Sequence, residues 1–327
     1  MNTRPRIAVV GCGALGSFYG AHLSRAGHDV HFLLRSDYEV VRERGVQVCD
    51  AHGGFVARPS SVAREPGEIG VCDWVLVGLK TTANGQFASL LGPLMGPRSA
   101  VLTLQNGLGN EDALGGLFGL ERVLGGLCIV CLNRVAPGVI DHLAHGRIVM
   151  GEAGGPATER ARRMAGWFHD SGVPCDVVDN LEQAHWEKLV WNIPFNGLGV
   201  AAVGGIEAVR RGRLIPGQPL GSCHSTKALL GDPGWASWVR GLMAETIAAA
   251  QAQGLQVKSS MADEQIARTM EIGDYKASTL IDYERGLPLE IESLFAEPLR
   301  RANAAGVEAP RLRALCSLLR ELDQRRT

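Results

Sequence analysis

Arg6-Ile7-Ala8-Val9-Val10-Gly11-Cys12-Gly13-Ala14-Leu15-Gly16 decides the fold of this chain, because a short apolar strand runs directly into G-x-G-x-x-G. In that context the glycines have separate duties. Gly11 makes the tight turn, Gly13 lets the backbone approach a pyrophosphate, and Gly16 permits close helix packing. The N–H groups and partial positive charge of the following helix N-terminus face the phosphates. The unit also closes as a βαβ fold requires: the helix carries Phe18, Leu23 and Ala26, breaks at Gly27, and gives way to a second strand, Asp29–Leu34. The spacing therefore predicts a dinucleotide-binding βαβ unit.

An acidic residue beyond the second strand would hydrogen-bond the ribose 2′-OH of NAD. Here Arg35 follows the strand. A guanidinium pairs bidentately with phosphate, so the 2′-phosphate of NADP is the better match, the alternative being a solvated surface arginine. Farther on, Asp73–Lys80 and Ala100–Asn106 read as buried strands ending in polar residues. Ligands of open α/β sheets bind beyond the carboxyl ends of the strands, which predicts that Lys80 and Asn106 point toward the same crevice as the glycine loop. Lys80 reads either as a dinucleotide contact or as a solvated lysine.

With 327 residues the chain can build two domains, and 33 basic against 34 acidic residues leave no charge imbalance to attract nucleic acid or an anionic membrane. The first strand is reached within a few residues of Met1, which leaves no room for a signal peptide and predicts a soluble cytoplasmic protein. Eight cysteines are scattered. Only Cys128-x-x-Cys131 has suggestive spacing, and its apolar surroundings read as buried strand thiols. Asp141-His142-Leu143-Ala144-His145 has the wrong spacing for a helical zinc pair and reads as strand and turn, so no metal is expected.

The first half alternates strands and helices, which predicts a parallel sheet covered on both faces, and the second half reads as helical. Asp232-Pro233 caps a helix ending at Gly254, Ser260-x-x-Asp263 opens another, Pro288 a third, and Pro310 precedes a Leu312, Leu315, Leu319, Leu322 stripe. Gly204 to Lys227, rich in Gly, Pro and Arg, reads as a long loop. The expected architecture is an α/β protein, with a Rossmann-type domain over 1–178 and an all-helical domain over 179–327. The expected assembly is a homodimer through the helical part, the commonest symmetric form.

Trp186-Glu187-Lys188-Leu189-Val190-Trp191-Asn192-Ile193-Pro194-Phe195-Asn196 should form the first long helix of the second domain. Lys188, Asn192 and Asn196, spaced by four, share one face. They are either the solvated stripe of an amphipathic helix or a chemical constellation: a nicotinamide enzyme reducing a carbonyl must protonate its oxygen, and Lys⁺ can act as that general acid while amides orient the substrate. Pro194 removes a backbone N–H and should push Ile193 off helical angles, kinking the helix between the asparagines. If Pro288 is the first helical residue, Glu290 falls in the first turn, where the macrodipole favours a carboxylate; it reads as a partner for Lys188, as an acceptor for a substrate hydroxyl, or as a plain helix-start glutamate.

On these residues the chain resembles the ketopantoate reductase (2-dehydropantoate 2-reductase) family, over nearly its whole length. The similarity is carried by the glycine loop, Gln105-Asn106-Gly107, Trp186-x-Lys188-Leu189, Asn192-x-x-x-Asn196, Ser278, and Pro288-Leu289-Glu290-Ile291. The resemblance implies Lys188 as general acid, and Asn192, Asn196 and Ser278 as substrate contacts. It implies Asn106 between nicotinamide and substrate, and Glu290 as a carboxylate lining the cleft. The residues expected to hold NADP(H) are Gly11, Cys12, Gly13, Ala14, Leu15, Gly16, Arg35, Lys80, Asn106 and Glu290. Ser278 by itself reads equally as a helix-surface hydroxyl. The stretch from Gly204 to Lys227 is longer and more polar than the corresponding family connection, which leaves the pocket walls open. The expected reaction is NADPH-dependent reduction of 2-dehydropantoate. Its rivals are reduction of another 2-oxo acid or imine, and a noncatalytic NADP-binding regulator.

Overall fold

The structure is a computed structural model and describes residues 4–325 apart from His52, with Ile272 described by its backbone alone; Met1 lies outside the described residues. Two compact units divide the chain, one from residues up to 105 and 110–181, the other from residues 106–109 and 182 onward.

The first unit contains β1 (Arg6–Val10), β2 (Asp29–Leu33), β3 (Val46–Cys49), β4 (Phe55–Ala57), β5 (Ser61–Ala63), β6 (Cys72–Val77), β7 (Met95–Thr103), β8 (Val123–Ala136), β9 (Val139–Glu152) and β10 (Cys175–Val177). Its helices are α1 (Ala14–Arg25), α2 (Tyr38–Arg44), α3 (Pro66–Ile69), α4 (Phe87–Leu91), α5 (Asn110–Phe118) and α6 (Glu159–Asp170). The strands make one sheet in the order β4-β3-β9-β8-β7-β6-β1-β2-β5, with β10 on β9. Side-chain alternation along β1 serves both faces. Ile7 and Val9 pack in one core with Phe18, Tyr19 and Leu23 of α1, while Ala8 and Val10 pack in another with Phe87 and Leu91 of α4. Each such large apolar side chain, fully buried, contributes about 1.5–3 kcal/mol.

From β5 through β8 the sheet is parallel as expected, but β9 runs antiparallel to β8 and β4 antiparallel to β3. The reason lies at Pro137-Gly138, the two-residue connection between β8 and β9, which only antiparallel neighbours can share; Gly138 takes φ +69°. The Cys128-x-x-Cys131 and Asp141–His145 stretches both lie in this long hairpin.

The hairpin tip is fastened to the end of β2. Asp37 stands at the N-cap of α2 yet makes no side-chain cap bond. Its buried carboxylate instead accepts from the Gly138 N–H (2.9 Å) and from Arg134 (2.5 Å), and Ser36 Oγ donates to it (2.7 Å). Burial alone would raise this carboxyl, but the Gly138 N–H, the Ser36 hydroxyl and Arg134 together hold it below the ordinary carboxylate range.

The second unit is helical: α7 (Leu181–Ala201), α8 (Gly205–Arg211), α9 (Thr226–Gly231), α10 (Pro233–Ala252), α11 (Met261–Ile272), α12 (Ser278–Glu284), α13 (Glu297–Ala304) and α14 (Pro310–Gln324). Its core gathers Trp186, Leu189, Val190 and Ile193 of α7 with Val239, Leu242 and Met243 of α10 and the predicted leucine stripe of α14. Helical run Leu181–Arg211 is long and apolar enough to cross a membrane by length and composition, but 83% of its apolar window is buried within the protein, as befits a core helix. Asp232 caps α10 as its sequence predicts, accepting from the Gly234 and Trp235 N–H groups.

Three sequence expectations fail here. Gly204 to Lys227 is not one loop: Ala208 and Val209 are buried and hold α8 against the core, Gly212 ends it in the left-handed region at φ +64°, and Ser225 caps α9. Helix α7 runs unbroken through Pro194, with Ile193 and Phe195 both buried in the core, so packing keeps Ile193 helical against the local preference. Pro288 does not open a helix. Leu289 and Ile291 are buried and the Leu289 N–H is donated to Asp323 (3.3 Å), which holds residues 287–290 outside the helix; helical structure resumes at Ile291 with a π-helical stretch over Glu292–Ala296. Glu290 thus precedes the helix instead of lying in its first turn.

Because Asp37 ionises more easily folded than unfolded, its stabilisation is complete above an unfolded carboxyl value of about 3.9 and disappears as pH falls through the lower folded value. Asp37→Asn should therefore cost about 1 kcal/mol at neutral pH. Thermal melting of both proteins from pH 7 downward should show the gap closing below about pH 4; a gap that stays constant would mean the carboxylate charge does not hold the hairpin.

Candidate active site

Two groups of side chains emerge, one within each unit. In the first, the glycine loop has the shape that its sequence predicts. Gly11 takes φ +90°, and a Cβ there would lie 2.3 Å from the Leu79 nitrogen, so only glycine fits against the end of β6. A Cβ on Gly16 would lie 2.3 Å from the Gly11 carbonyl oxygen. Gly13 differs: it is exposed, and the space where its Cβ would stand is open to 4 Å. Gly13 is also the N-cap of α1 and has no side chain with which to cap it. An open approach to uncapped first-turn amides fits the pyrophosphate of a dinucleotide. Cys12 donates its thiol to the Val9 carbonyl, burial pushes its pKa well above the ordinary thiol range, and Cys12 and Leu15 pack partly against the core beneath the loop.

Lys80 is exposed just past Gly78-Leu79, the residues packed on the glycine turn, and so lies at the same end of the sheet. Arg35 is exposed, and among the described residues its guanidinium makes no hydrogen bond or ion pair. The carboxylate nearest to it in sequence, Asp37, is committed to the hairpin. At the end of β7 lies a polar network that the sequence reading missed: Gln105 Nε2 donates to Asn84 Oδ1 (2.8 Å), Thr103 Oγ1 donates to Gln105 Oε1 (2.9 Å), and Asn84 Nδ2 donates to Asn110 Oδ1 (2.8 Å). These residues are scattered in sequence, and no spacing pattern marks them. Their bonds fix Gln105, the residue before Asn106.

The second group is built on α7. Lys188 Nζ donates to Asn106 Oδ1 at 2.8 Å. Asn106 is brought there by the turn that follows it. Gly107 takes φ +86°, a Cβ on it would lie 2.4 Å from the Ser293 carbonyl oxygen, and the Leu108 N–H donates to that same oxygen at 2.9 Å. Ser293 sits in the π-helical stretch, a distortion that often marks functional positions. The sequence reading did not single out Ser293.

One turn beyond Lys188, Asn192 is 6% exposed and its amide makes no hydrogen bond among the described residues. A buried amide so placed is available to a ligand. One further turn on, Asn196 is brought together with Ser278: its Oδ1 accepts from the Ser278 hydroxyl (3.2 Å) and the Thr279 N–H (2.9 Å). The Asn196 oxygen therefore caps the start of α12, leaving Nδ2 as what it can offer a ligand. Glu290 is buried at 4% exposure, and its backbone carbonyl accepts from the Leu294 N–H at 3.2 Å. The second unit thus carries a positioned cation, two buried amides, a hydroxyl and a buried carboxylate.

Residues 7–155 match the family model described as ketopantoate reductase PanE/ApbA, and residues 219–323 match its C-terminal counterpart. The chain is 36% identical to a 2-dehydropantoate 2-reductase of Nostoc sp. over 99% of its own length and 97% of that protein. A crystal structure of 2-dehydropantoate 2-reductase from Geobacter metallireducens is 43% identical, with TM-score 0.87, covering 97% of this chain and 99% of that one. A structure of D-mandelate dehydrogenase with NADH and anilino(oxo)acetate superposes with TM-score 0.82 at 19% identity, covering 98% of this chain and 99% of that one, which speaks for the fold alone.

Asn196 offers a separable test. Asn196→Ala removes the cap of α12 and should lower stability by about 1 kcal/mol. Asn196→Asp keeps the acceptor oxygen but not the Nδ2 donor, so it should melt near the native temperature while raising KM for the substrate about tenfold. Equal KM for native protein and Asn196→Asp would show that Asn196 serves only to cap the helix.

Proposed function

Because the chain belongs to the ketopantoate reductase family of oxidoreductases, we propose that it reduces 2-dehydropantoate to (R)-pantoate with NADPH, a step toward coenzyme A. The observation that carries this reading is the 2.8 Å bond from Lys188 Nζ to Asn106 Oδ1, which aims a cation one helical turn from the Asn192 amide, unpartnered among the described residues. An amphipathic surface stripe would place Lys188 and both asparagines in water. Here Asn192 and Asn196 are buried and Lys188 is half-buried.

Residues of the glycine loop would hold the pyrophosphate, and Arg35 the 2′-phosphate, by charge-assisted hydrogen bonding. Bound NADPH would supply the hydride. Lys188, held as an ammonium donor by the Asn106 oxygen, donates its proton to the carbonyl oxygen of the 2-oxo acid as negative charge develops there. Asn192 and the Nδ2 group of Asn196 donate to the substrate and orient it, with the Ser278 hydroxyl beside them. Glu290 accepts from the hydroxyl that 2-dehydropantoate carries and pyruvate lacks. A hydrogen bond to a buried carboxylate that the simpler acid has no hydroxyl to make is what produces the discrimination.

Lys188→Ala should lower turnover by about 10²–10⁴-fold while leaving NADPH affinity close to native. Stopped-flow turnover together with a fluorescence titration of NADPH separates the two effects. Turnover within about threefold of native would remove Lys188 from the chemistry. Arg35→Asp should reverse the cofactor order by placing like charge against the 2′-phosphate, weakening NADPH by about ten- to a hundredfold. Equal affinity of the native protein for NADPH and NADH would overturn the cofactor assignment.

A further inference from the structure

Beside Arg35 the first unit carries an arrangement that the proposed reaction does not use. Asp37 lies two residues past Arg35, and an anion there would repel a 2′-phosphate. The carboxylate is 3% exposed and gives up the N-cap position of α2 to turn toward the β8–β9 hairpin. Arg134, 97 residues away in sequence, reaches back from β8, and one guanidinium nitrogen donates both to Asp37 Oδ1 at 2.5 Å and to Ser36 Oγ at 3.3 Å. The second Asp37 oxygen is occupied by the Gly138 N–H. Arg134 thereby neutralises the carboxylate two residues past Arg35 and touches the serine between them, while 41% of its side chain stays exposed.

We propose that Arg134 is a specificity-determining residue for the dinucleotide, masking the Asp37 carboxylate so that Arg35 presents net positive charge to a 2′-phosphate. The idea rests on the NADPH reading of Arg35 above. It differs from that reading in assigning the preference to three residues, one of them on a hairpin remote in sequence. Arg134 acts through Asp37 and Ser36, so it is a positioning residue. A purely structural salt bridge would affect both dinucleotides alike.

The test is dissociation constants for NADPH and NADH, by fluorescence titration of the full chain, for the native protein, Arg134→Met, Arg134→Lys, Asp37→Asn and the Arg134→Met/Asp37→Asn pair. Arg134→Met keeps the length of the side chain and removes its charge. It should weaken NADPH about tenfold and change NADH by less than about threefold. Arg134→Lys retains the charge and should keep the native preference. Adding Asp37→Asn to Arg134→Met removes the anion that Arg134 no longer neutralises and should restore NADPH binding. Melting of each variant shows that the constants belong to folded protein, and the lysine variant serves if the methionine variant does not fold. An unchanged preference in Arg134→Met, or a loss of preference in Arg134→Lys, overturns the proposal while leaving Arg35 as the NADPH determinant. Failure of Asp37→Asn to rescue also overturns it, because Arg134 would then meet the phosphate directly. A native protein without NADPH preference sinks the Arg35 reading first, and this inference with it.

Discussion

A side chain at residue 107 would collide with the Ser293 carbonyl, and the pairing of Lys188 with Asn106 in the second unit depends on that constraint. The Gly107 backbone lies against the Ser293 carbonyl so closely that a Cβ would be 2.4 Å from the oxygen, and the left-handed φ of +86° excludes most other residues independently. With the turn seated there, the Leu108 N–H closes on the same carbonyl and the Asn106 oxygen accepts from Lys188. A short turn, a π-helical stretch and a long helix are thereby locked into one arrangement. The bond to Asn106 holds Lys188 in place: a lysine loose in solvent would sample many rotamers, and ordering it for any reaction would cost entropy.

The same economy holds in the first unit. Three glycines permit contacts closer than any Cβ allows at Gly11 and Gly16, and leave open space at Gly13. The sheet that bears them is anchored by period-2 burial on both faces, and the hairpin tip is tied to the end of β2 by the Asp37 carboxylate. That tie runs between elements about a hundred residues apart, so no local pattern announces it.

What was legible in the sequence was local and periodic. The glycine loop, the α7 register that aligns Lys188, Asn192 and Asn196, the Asp232-Pro233 cap and the α14 leucine stripe each follow from spacing within one element, and each stands where expected. What escaped was tertiary. Glu290 left its expected helical turn because Leu289 and Ile291 bury themselves and Asp323 takes a backbone N–H. Helix α8 escaped because glycine and arginine at its ends masked the buried Ala208 and Val209 between them. The capping role of Asn196 needed the position of α12, which nothing within α7 reveals.

The central claim is that the buried amides, Lys188 and Glu290 form a site for a hydroxylated 2-oxo acid. It is tested most directly by measuring NADPH oxidation by the native protein with 2-dehydropantoate, pyruvate and a bulky aromatic 2-oxo acid. The account predicts a kcat/KM for 2-dehydropantoate at least about a hundredfold above that for pyruvate, because the simpler acid has no hydroxyl to donate to Glu290. Comparable values for all three acids would contradict the substrate assignment and leave a general 2-oxo acid reductase.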